Sequence, residues 1–286
     1  MSRTIRMIGL DLDGTLLNSE KQLTAYTRDV LKKAIEQEVA IVVATGRPFS
    51  GVPDELKHFP GIRYALTANG ARILDMQKQK VVYENLLSVE SAEKVIDILR
   101  KHHAIHEFFV DGVGYMNEDG LKNVYAYFED PHMAEYLQST RIPVKDVKEK
   151  LQTMKCEVDK LQGIFRNQKD KEEALEELNT LSGIVVTAAM DNNLEINKEG
   201  TNKGLGLLQL GKSVGISREE IMACGDGGND VEMLKEVGFA VAMANGSDPV
   251  KTAADFVTVS NDEDGVAKAI AVSYTHLRAH ETRSNL

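Results

Sequence analysis

The chain of 286 residues has no tryptophan and only two cysteines, Cys156 and Cys224. So few cysteines exclude a disulfide framework as the source of stability and favour a reducing cytoplasm as the location. No apolar run approaches the length that spans a bilayer, and the N-terminus reaches Asp11 too early for a secretory leader. These absences predict a soluble cytoplasmic protein that is not attached to a membrane.

Positive charge is also scarce, because 34 Lys and Arg face 44 Asp and Glu, for a formal net charge of −10. An acidic chain is unsuited to general binding of nucleic acid or of an anionic membrane, so neither is an expected partner. An anionic small molecule remains possible, since a metal ion and a lysine can reverse the field inside one crevice. The length predicts one large or two modest domains, in a monomer or a homodimer.

Two acidic clusters, more than two hundred positions apart, are the most informative features that the sequence does have. The first is Asp11-Leu12-Asp13-Gly14-Thr15, and the second is Gly225-Asp226-Gly227-Gly228-Asn229-Asp230. Each follows a short apolar segment typical of a buried parallel strand, so both are expected at the carboxyl edge of one sheet. Gathered carboxylates repel one another unless a cation joins them, and an all-oxygen set suits Mg²⁺. Either cluster alone also fits an ordinary turn, whereas the pair does not.

The spacing within the clusters indicates what the carboxylates could do. Asp11 and Asp13 are two positions apart, so an extended backbone turns both to the same side. One could attack phosphorus while the other exchanges a proton with the leaving group, which splits a slow hydrolysis into two easier steps. Asp226 and Asp230 are candidates to ligate or orient a metal ion, and Asn229 is a candidate hydrogen-bond donor to the substrate.

Two further segments contain candidates for phosphate binding. Thr45 follows the apolar run 39–44, and Gly46 frees the next backbone N–H to approach an anion closely. Lys203 stands just ahead of a predicted helix, whose N-terminus would face the same anion. A lone Thr or Lys in a loop is more often only solvated, and as a loop residue Lys203 is expected to add little to stability.

Strands alternate with helices at both ends of the chain, which predicts an α/β fold with a doubly wound parallel sheet. Between about Leu86 and Asn193 the pattern changes to helices and hairpins. We therefore expect a core in two parts, 1–85 and 196–270, and an inserted α+β cap domain at 86–195. The last helix is expected to end at Ile270. Residues 271–286 break the pattern and resemble translated adaptor DNA, so we interpret them as a non-native tail; a genuine, poorly structured tail is the alternative.

Taken in order, the two acidic clusters, the intervening Ala44-Thr45-Gly46-Arg47-Pro48 and Lys203-Gly204 resemble the four motifs of the haloacid-dehalogenase-like (HAD) hydrolases. The place of the insert is similar to that in the Cof-type branch, which includes many sugar-phosphate phosphatases. The resemblance covers the chain to about Ile270. It implies a Rossmann-like core with a cap, and a Mg²⁺-dependent phosphatase of small phosphorylated metabolites, expected to be sugar phosphates, that forms an aspartyl-phosphate intermediate.

The resemblance also implies a role for each candidate residue. Asp11 would be the nucleophile and Asp13 the general acid/base, while the substrate phosphate would be bound by Thr45, Gly46, Lys203 and Asn229. The metal would be held by Asp11, Asp226 and the main-chain carbonyl of Asp13, with Asp230 supporting them. Loops of the insert, around Asp111 to Gly114 for example, are expected to set substrate preference.

Two other functions use the same residues. A phosphotransferase such as a phosphohexomutase would share the site, but those mutases usually carry a helical cap between the first two motifs. Here only 31 residues separate Asp13 from Thr45, so a phosphatase is favoured. A non-catalytic regulator that binds a phosphometabolite is the second alternative, against which the intact Asp11 and Asp13 argue.

Overall fold

The computed structural model describes residues 4–128 and 131–281, with side chains described as far as Ser273. Within those ranges the strands are β1 Met7–Leu10, β2 Ala40–Ala44, β3 Tyr64–Thr67, β4 Arg72–Asp75, β5 Lys80–Glu84, β6 Ile105–Val110, β7 Val113–Asn117, β8 Arg141–Val144, β9 Lys160–Ile164, β10 Ile184–Thr187, β11 Asn193–Lys198, β12 Ile221–Gly225, β13 Phe239–Ala242 and β14 Phe256–Val257. The α-helices are α1 Ala25–Glu36, α2 Asp54–Lys57, α3 Val89–Lys101, α4 Glu118–Lys122, α5 Pro131–Thr140, α6 Val147–Met154, α7 Gln168–Leu178, α8 Lys203–Val214, α9 Val231–Glu236, α10 Asp248–Ala253 and α11 Gly265–Glu281.

The first sheet has the strand order β14-β13-β12-β1-β2-β3-β4-β5 and is parallel from β14 to β3. Successive residues of its central strands enter opposite hydrophobic cores, Ile8 and Leu10 on one face and Met7 on the other. Burial on both faces explains why these strands are continuously apolar in the sequence. The predicted parallel α/β fold is confirmed. Since β1 lies between β2 and β12, the residues that follow these three strands meet at one edge.

The second sheet has the order β10-β11-β9-β6-β7-β8 and is antiparallel except between β7 and β8. One face is apolar and packs on α3, α6 and α7. The opposite face of β6, β9 and β11 is polar and buried; it comprises Glu107, Lys160, Gln162, Asn193, Glu195 and Asn197. We call this set of six residues the inner face. The predicted cap boundary at residue 195 lies inside β11, and the division into 1–85, 86–195 and 196–270 stays a prediction.

Buried hydrogen bonds join the inner face to the carboxyl edge of the first sheet. Asn197 Nδ2 donates to the carbonyl oxygen of Ala68 at 2.9 Å, and Asn69 Nδ2 donates to Glu195 Oε2 at 2.8 Å. Beside them, Arg72 Nε donates to Asp159 Oδ1 at 2.8 Å. Buried polar groups hold their geometry because an unpaired one is costly. The inner face is therefore held over the edge where the candidate residues meet.

A buried ion pair lies in the second sheet. Arg141 forms a two-pronged pair with Glu107, through Nε to Oε2 and through Nη2 to Oε1 at 3.1 Å. Both side chains are almost completely buried. A charge in such a place is tolerated only while its partner is present.

Replacing Glu107 by Ala should therefore lower the free energy of unfolding by about 3–5 kcal/mol, because Arg141 would be left buried without a counter-charge. Urea denaturation measures this change. The control is Lys94→Ala, which removes an exposed pair with Glu90 on α3 and should leave the unfolding midpoint nearly unchanged. Similar midpoints for both variants would contradict the assignment.

The last helix, α11, continues to Glu281, so the expectation that it ends at Ile270 is wrong. Burial of Ser273, whose hydroxyl donates to the carbonyl oxygen of Ile270 at 2.7 Å, is consistent with this continuation. The non-native origin of residues 271–286 stays a prediction, and 282–286 lie outside the described residues. Among the helices described, none combines the length and apolarity needed to cross a bilayer.

Candidate active site

The candidate residues converge at the carboxyl edge of the first sheet. Asp11 follows β1, Thr45 follows β2 and Asp226 follows β12. They line one cavity of about 330 Å³ between the two sheets. The other predicted residues that line it are Asp13, Gly46, Asn229 and Asp230, and Lys203 lies directly behind, bonded to Asp11. The structure thus brings all eight predicted residues together.

Three carboxylates form a tight cluster within this cavity. Asp11, Asp226 and Asp230 each offer an oxygen, and these oxygens all lie within 4.8 Å of one another. Burial, together with Asp230 and Asp226, raises the pKa of Asp11 well above its ordinary value, although Lys203 opposes the rise. Burial and Asp230 likewise raise the pKa of Asp226 to about 6. These crowded carboxylates are therefore costly to ionise unless a cation lies among them.

Lys203 is completely buried, so the expectation of a solvated loop lysine is wrong. Its Nζ donates to Asp11 Oδ1 and to Asp230 Oδ1, both at 2.7 Å. Burial alone would lower the pKa of Lys203, but these two carboxylates raise it, so the side chain stays charged. Asn202 caps α8 by accepting from Leu205 N at 2.8 Å, which places Lys203 in the first turn and turns it toward the acidic cluster.

The residue types and their supports fit a hard divalent cation. Asp230 Oδ2 accepts from the backbone N–H groups of Asp226 and Gly227, at 3.0 Å each, and so shapes the loop that carries Asp226. Asp226 Oδ1 accepts from Thr15 Oγ1 at 2.7 Å. Gly14, with a φ of 77°, lets Asp226 Oδ2 lie where any other residue would place its Cβ. Clustered carboxylate oxygens with ordered supports are the donors that Mg²⁺ prefers.

Asp13 stands apart from the three clustered carboxylates. Its oxygens accept from Arg47 Nε and Nη2, at 2.7 Å each, and from Lys21 Nζ at 3.0 Å. Although burial alone would raise the pKa of Asp13, Arg47 and then Lys21 lower it to about 2. Its side chain is therefore ionised and turned toward the mouth of the cavity. Only its main-chain carbonyl was expected to approach a metal.

At Thr45 and Gly46, which follow β2, the backbone lies close to its neighbours. Thr45 is buried, and its hydroxyl accepts from Arg47 N at 3.1 Å. A Cβ on Gly46 would come within 2.8 Å of Asn69 Oδ1, so only glycine fits without a shift. The same Asn69 oxygen accepts from Asn229 Nδ2 at 3.1 Å. Asn69, which follows β3, thus links Asn229 to Glu195 of the inner face.

The second sheet and its loops supply the wall opposite the acidic cluster. Its side chains in the cavity include the apolar Phe128, Met133, Leu137 and Met190 and the polar Lys160, Gln162, Asn193 and Glu195. Of the described lining residues, none belongs to 111–114, and the expectation that loops around Asp111 to Gly114 set substrate preference stays a prediction. That loop contacts the first sheet and its connections, where Gly112 O accepts from Ser50 N at 2.8 Å and Asp111 pairs with Arg72 of β4 at 3.1 Å.

Sequence reasoning missed several of these residues. Arg47 belongs to the segment Ala44-Thr45-Gly46-Arg47-Pro48, and its position next to Thr45 and Gly46 was a signal that it could belong to the site. For β11 the signal was the alternation Asn193-Leu194-Glu195-Ile196-Asn197, which is typical of a strand with two different faces. Nothing in the local pattern indicated that the polar face would be buried over the cavity.

An acidic cluster at the carboxyl edge of a parallel sheet, covered by a second sheet, defines an α/β protein with a ligand site of the kind that enzymes use for small molecules. The pattern of the haloacid dehalogenase-like hydrolase family matches residues 8–270. The chain belongs to this family.

Individual relatives agree with this assignment. The chain is 30% identical over 267 residues to the 5-amino-6-(5-phospho-D-ribitylamino)uracil phosphatase YcsE of Bacillus subtilis, covering 93% of this chain and 94% of the relative. A solved haloacid dehalogenase-like hydrolase from Bacteroides thetaiotaomicron superposes with a TM-score of 0.77 at 31% identity, over 94% of this chain and 99% of that one. A sugar phosphatase of HAD subclass IIB gives a TM-score of 0.79 at 25% identity, over 93% and 98%. The predicted Cof-type family and phosphatase class are confirmed.

Proposed function

We propose that the protein is a Mg²⁺-dependent phosphatase that hydrolyses small phosphorylated metabolites, sugar or sugar-alcohol phosphates above all, through an aspartyl-phosphate. The observation that carries this proposal is the position of Asp11. It lies in the three-carboxylate cluster, opens on a cavity and is held by the buried Lys203 at 2.7 Å. An oriented carboxylate beside a cation site is suited to attack on phosphorus.

The chemistry would run in two displacements at phosphorus. In the first, an Asp11 oxygen forms a bond to phosphorus, the ester P–O bond breaks, and the leaving oxygen takes a proton from Asp13. In the second, water attacks the phosphoaspartate, Asp13 takes the water proton, and the bond to Asp11 breaks to release inorganic phosphate. A bound Mg²⁺, held by Asp11, Asp226 and the Asp13 main chain with support from Asp230, would neutralise charge on the transferring group.

The other residues would bind the phosphoryl oxygens, and Asp13 would carry the proton for the leaving group. Thr45, the backbone after Gly46, and Lys203 would contact the phosphate, with Asn229 at its side. Asp13 can donate a proton only after its pKa rises from about 2, so its contacts with Arg47 and Lys21 have to loosen in the substrate complex. Substrate phosphate offers both cations a competing anion, which would allow this change.

The substrate class rests on size and on the relatives. A cavity of about 330 Å³ is at the small end of ligand pockets, which suits a metabolite rather than a macromolecule. One similar curated protein is named for a phosphorylated ribityl compound, and one similar structure is a sugar phosphatase. We propose that residues 86–195 act as the cap that encloses such a substrate.

The first test is activity on a generic aryl phosphate. The protein should release inorganic phosphate from p-nitrophenyl phosphate in the presence of Mg²⁺ and lose this activity in excess EDTA, because the clustered carboxylates need a cation. Excess Mg²⁺ should restore the rate. Undiminished release in EDTA would contradict the metal assignment. Phosphate appearing on an added alcohol or sugar, with no free phosphate, would favour the phosphotransferase alternative.

A further inference from the structure

Asn193 is a buried residue whose two amide ends have different surroundings. It begins β11, is completely buried and lines the cavity. Its Oδ1 accepts from the backbone N–H groups of Ala189 and Met190, at 3.1 and 2.9 Å. Its Nδ2 is buried without any hydrogen-bond partner. One end of the amide therefore holds the loop 188–193, and the other end is an unused donor.

An unused buried donor is costly, by about the desolvation penalty of one polar group, and is rare in folded proteins. A ligand that supplies the acceptor would explain why a cavity wall keeps such a donor. The loop that Asn193 holds also reaches the acidic site, because a Cβ on Gly228 would lie 2.6 Å from the carbonyl oxygen of Ala188. Asn193 thus lies in the part of the cavity wall that the second sheet contributes, and its loop approaches the acidic site.

The neighbours of Asn193 indicate what that part is made of. Glu195, two positions further along β11, and Gln162 on the adjoining β9 occupy the same face and also line the cavity. Met190 and Phe128 add apolar surface. Polar groups that can donate and accept, beside apolar side chains, suit a leaving group that carries hydroxyl or carbonyl oxygens on a carbon skeleton.

We infer that Asn193 is a specificity-determining residue, whose Nδ2 donates a hydrogen bond to a hydroxyl or carbonyl oxygen on the leaving group of the phosphoester. This inference rests on the proposed phosphatase function and deepens it. It assigns recognition to the loop 188–193, in place of the hairpin at 111–114. The hydrogen bond is made to a non-reacting part of the substrate, so it should contribute to KM more than to kcat.

The test compares Asn193→Asp with the parent on two kinds of substrate. Asp keeps the oxygen that accepts from Ala189 and Met190, so the loop should persist, but it replaces the donor by an acceptor. The panel is ribose 5-phosphate, glucose 6-phosphate and riboflavin 5′-phosphate, with phenyl phosphate as the substrate whose leaving group has no hydroxyl or carbonyl oxygen besides the reacting one. On the panel substrate that the parent prefers, kcat/KM should fall about 10- to 100-fold, mostly through KM. On phenyl phosphate it should change less than about twofold, since that leaving group makes no hydrogen bond to Asn193.

The matched control is Thr187→Val, which removes another buried, unpartnered oxygen, on β10 and outside the cavity lining. It should leave unchanged the ratio of kcat/KM on the preferred panel substrate to kcat/KM on the control substrate. Equal losses on both substrates in Asn193→Asp, or no loss on either, would overturn the inference. A parent that prefers phenyl phosphate to the whole panel would overturn it too. A parent that hydrolyses neither kind of substrate with Mg²⁺ would instead show the failure of the proposed function itself.

Discussion

Asp11→Asn should lower hydrolysis of p-nitrophenyl phosphate by at least about 10⁴-fold, because an amide does not readily attack phosphorus. The fold should persist, since the two side chains have nearly the same shape. Removing one charge from the cluster should even raise the melting temperature of the metal-free protein, because Asp226 and Asp230 remain and Lys203 keeps its bond to Asp230. Steady-state phosphate release and thermal unfolding in EDTA measure the two effects.

A phosphate mimic separates loss of the nucleophile from general damage. Beryllium fluoride with Mg²⁺ should raise the melting temperature of the parent, as a mimic of the phosphoaspartate, and should not raise that of Asp11→Asn. Asp13→Asn is the control, because it keeps the nucleophile and should keep the beryllium fluoride response while losing proton transfer. Substantial turnover by Asp11→Asn would refute the covalent route and favour direct attack by water.

The convergence of Asp11, Thr45 and Asp226 was predictable because it follows from a general rule of parallel sheets. Each residue comes directly after an apolar strand, and such strands end at one edge. These predictions use only neighbours along the chain, which the sequence shows directly.

The surroundings of Lys203 and Asn193 were not predictable in the same way. Lys203 is buried because Asp11, 192 positions away, and Asp230 surround its ammonium. The free end of the Asn193 amide depends on how the second sheet packs over the first. Both facts concern partners that are distant in sequence and belong to the packing of the two sheets. A lysine or an asparagine looks the same in a sequence whether it is solvated or enclosed.

Lys203→Met has the second large expected effect, on rate and on stability together. Lys203 is the cation that pairs directly with two of the three clustered carboxylates, so its removal leaves Asp11 and Asp230 buried and uncompensated. The free energy of unfolding in EDTA should fall by about 3–5 kcal/mol. Turnover with Mg²⁺ should fall about 10²- to 10³-fold, the usual cost of one preorganised contact to a transferring group.

The response of the melting temperature to Mg²⁺ distinguishes loss of the Lys203 charge from loss of its packing contacts. A divalent cation would neutralise the same carboxylates, so saturating Mg²⁺ should raise the melting temperature of Lys203→Met more than that of the parent. Lys21→Met is the control: Lys21 pairs with Asp13 at the partly exposed mouth of the cavity, and its loss should alter neither the stability in EDTA nor the Mg²⁺ response by much. If Lys203→Met is as stable as the parent in EDTA, its ammonium does not balance the cluster. If Mg²⁺ stabilises both proteins equally, the carboxylates that Lys203 pairs with are not the ones that bind the metal.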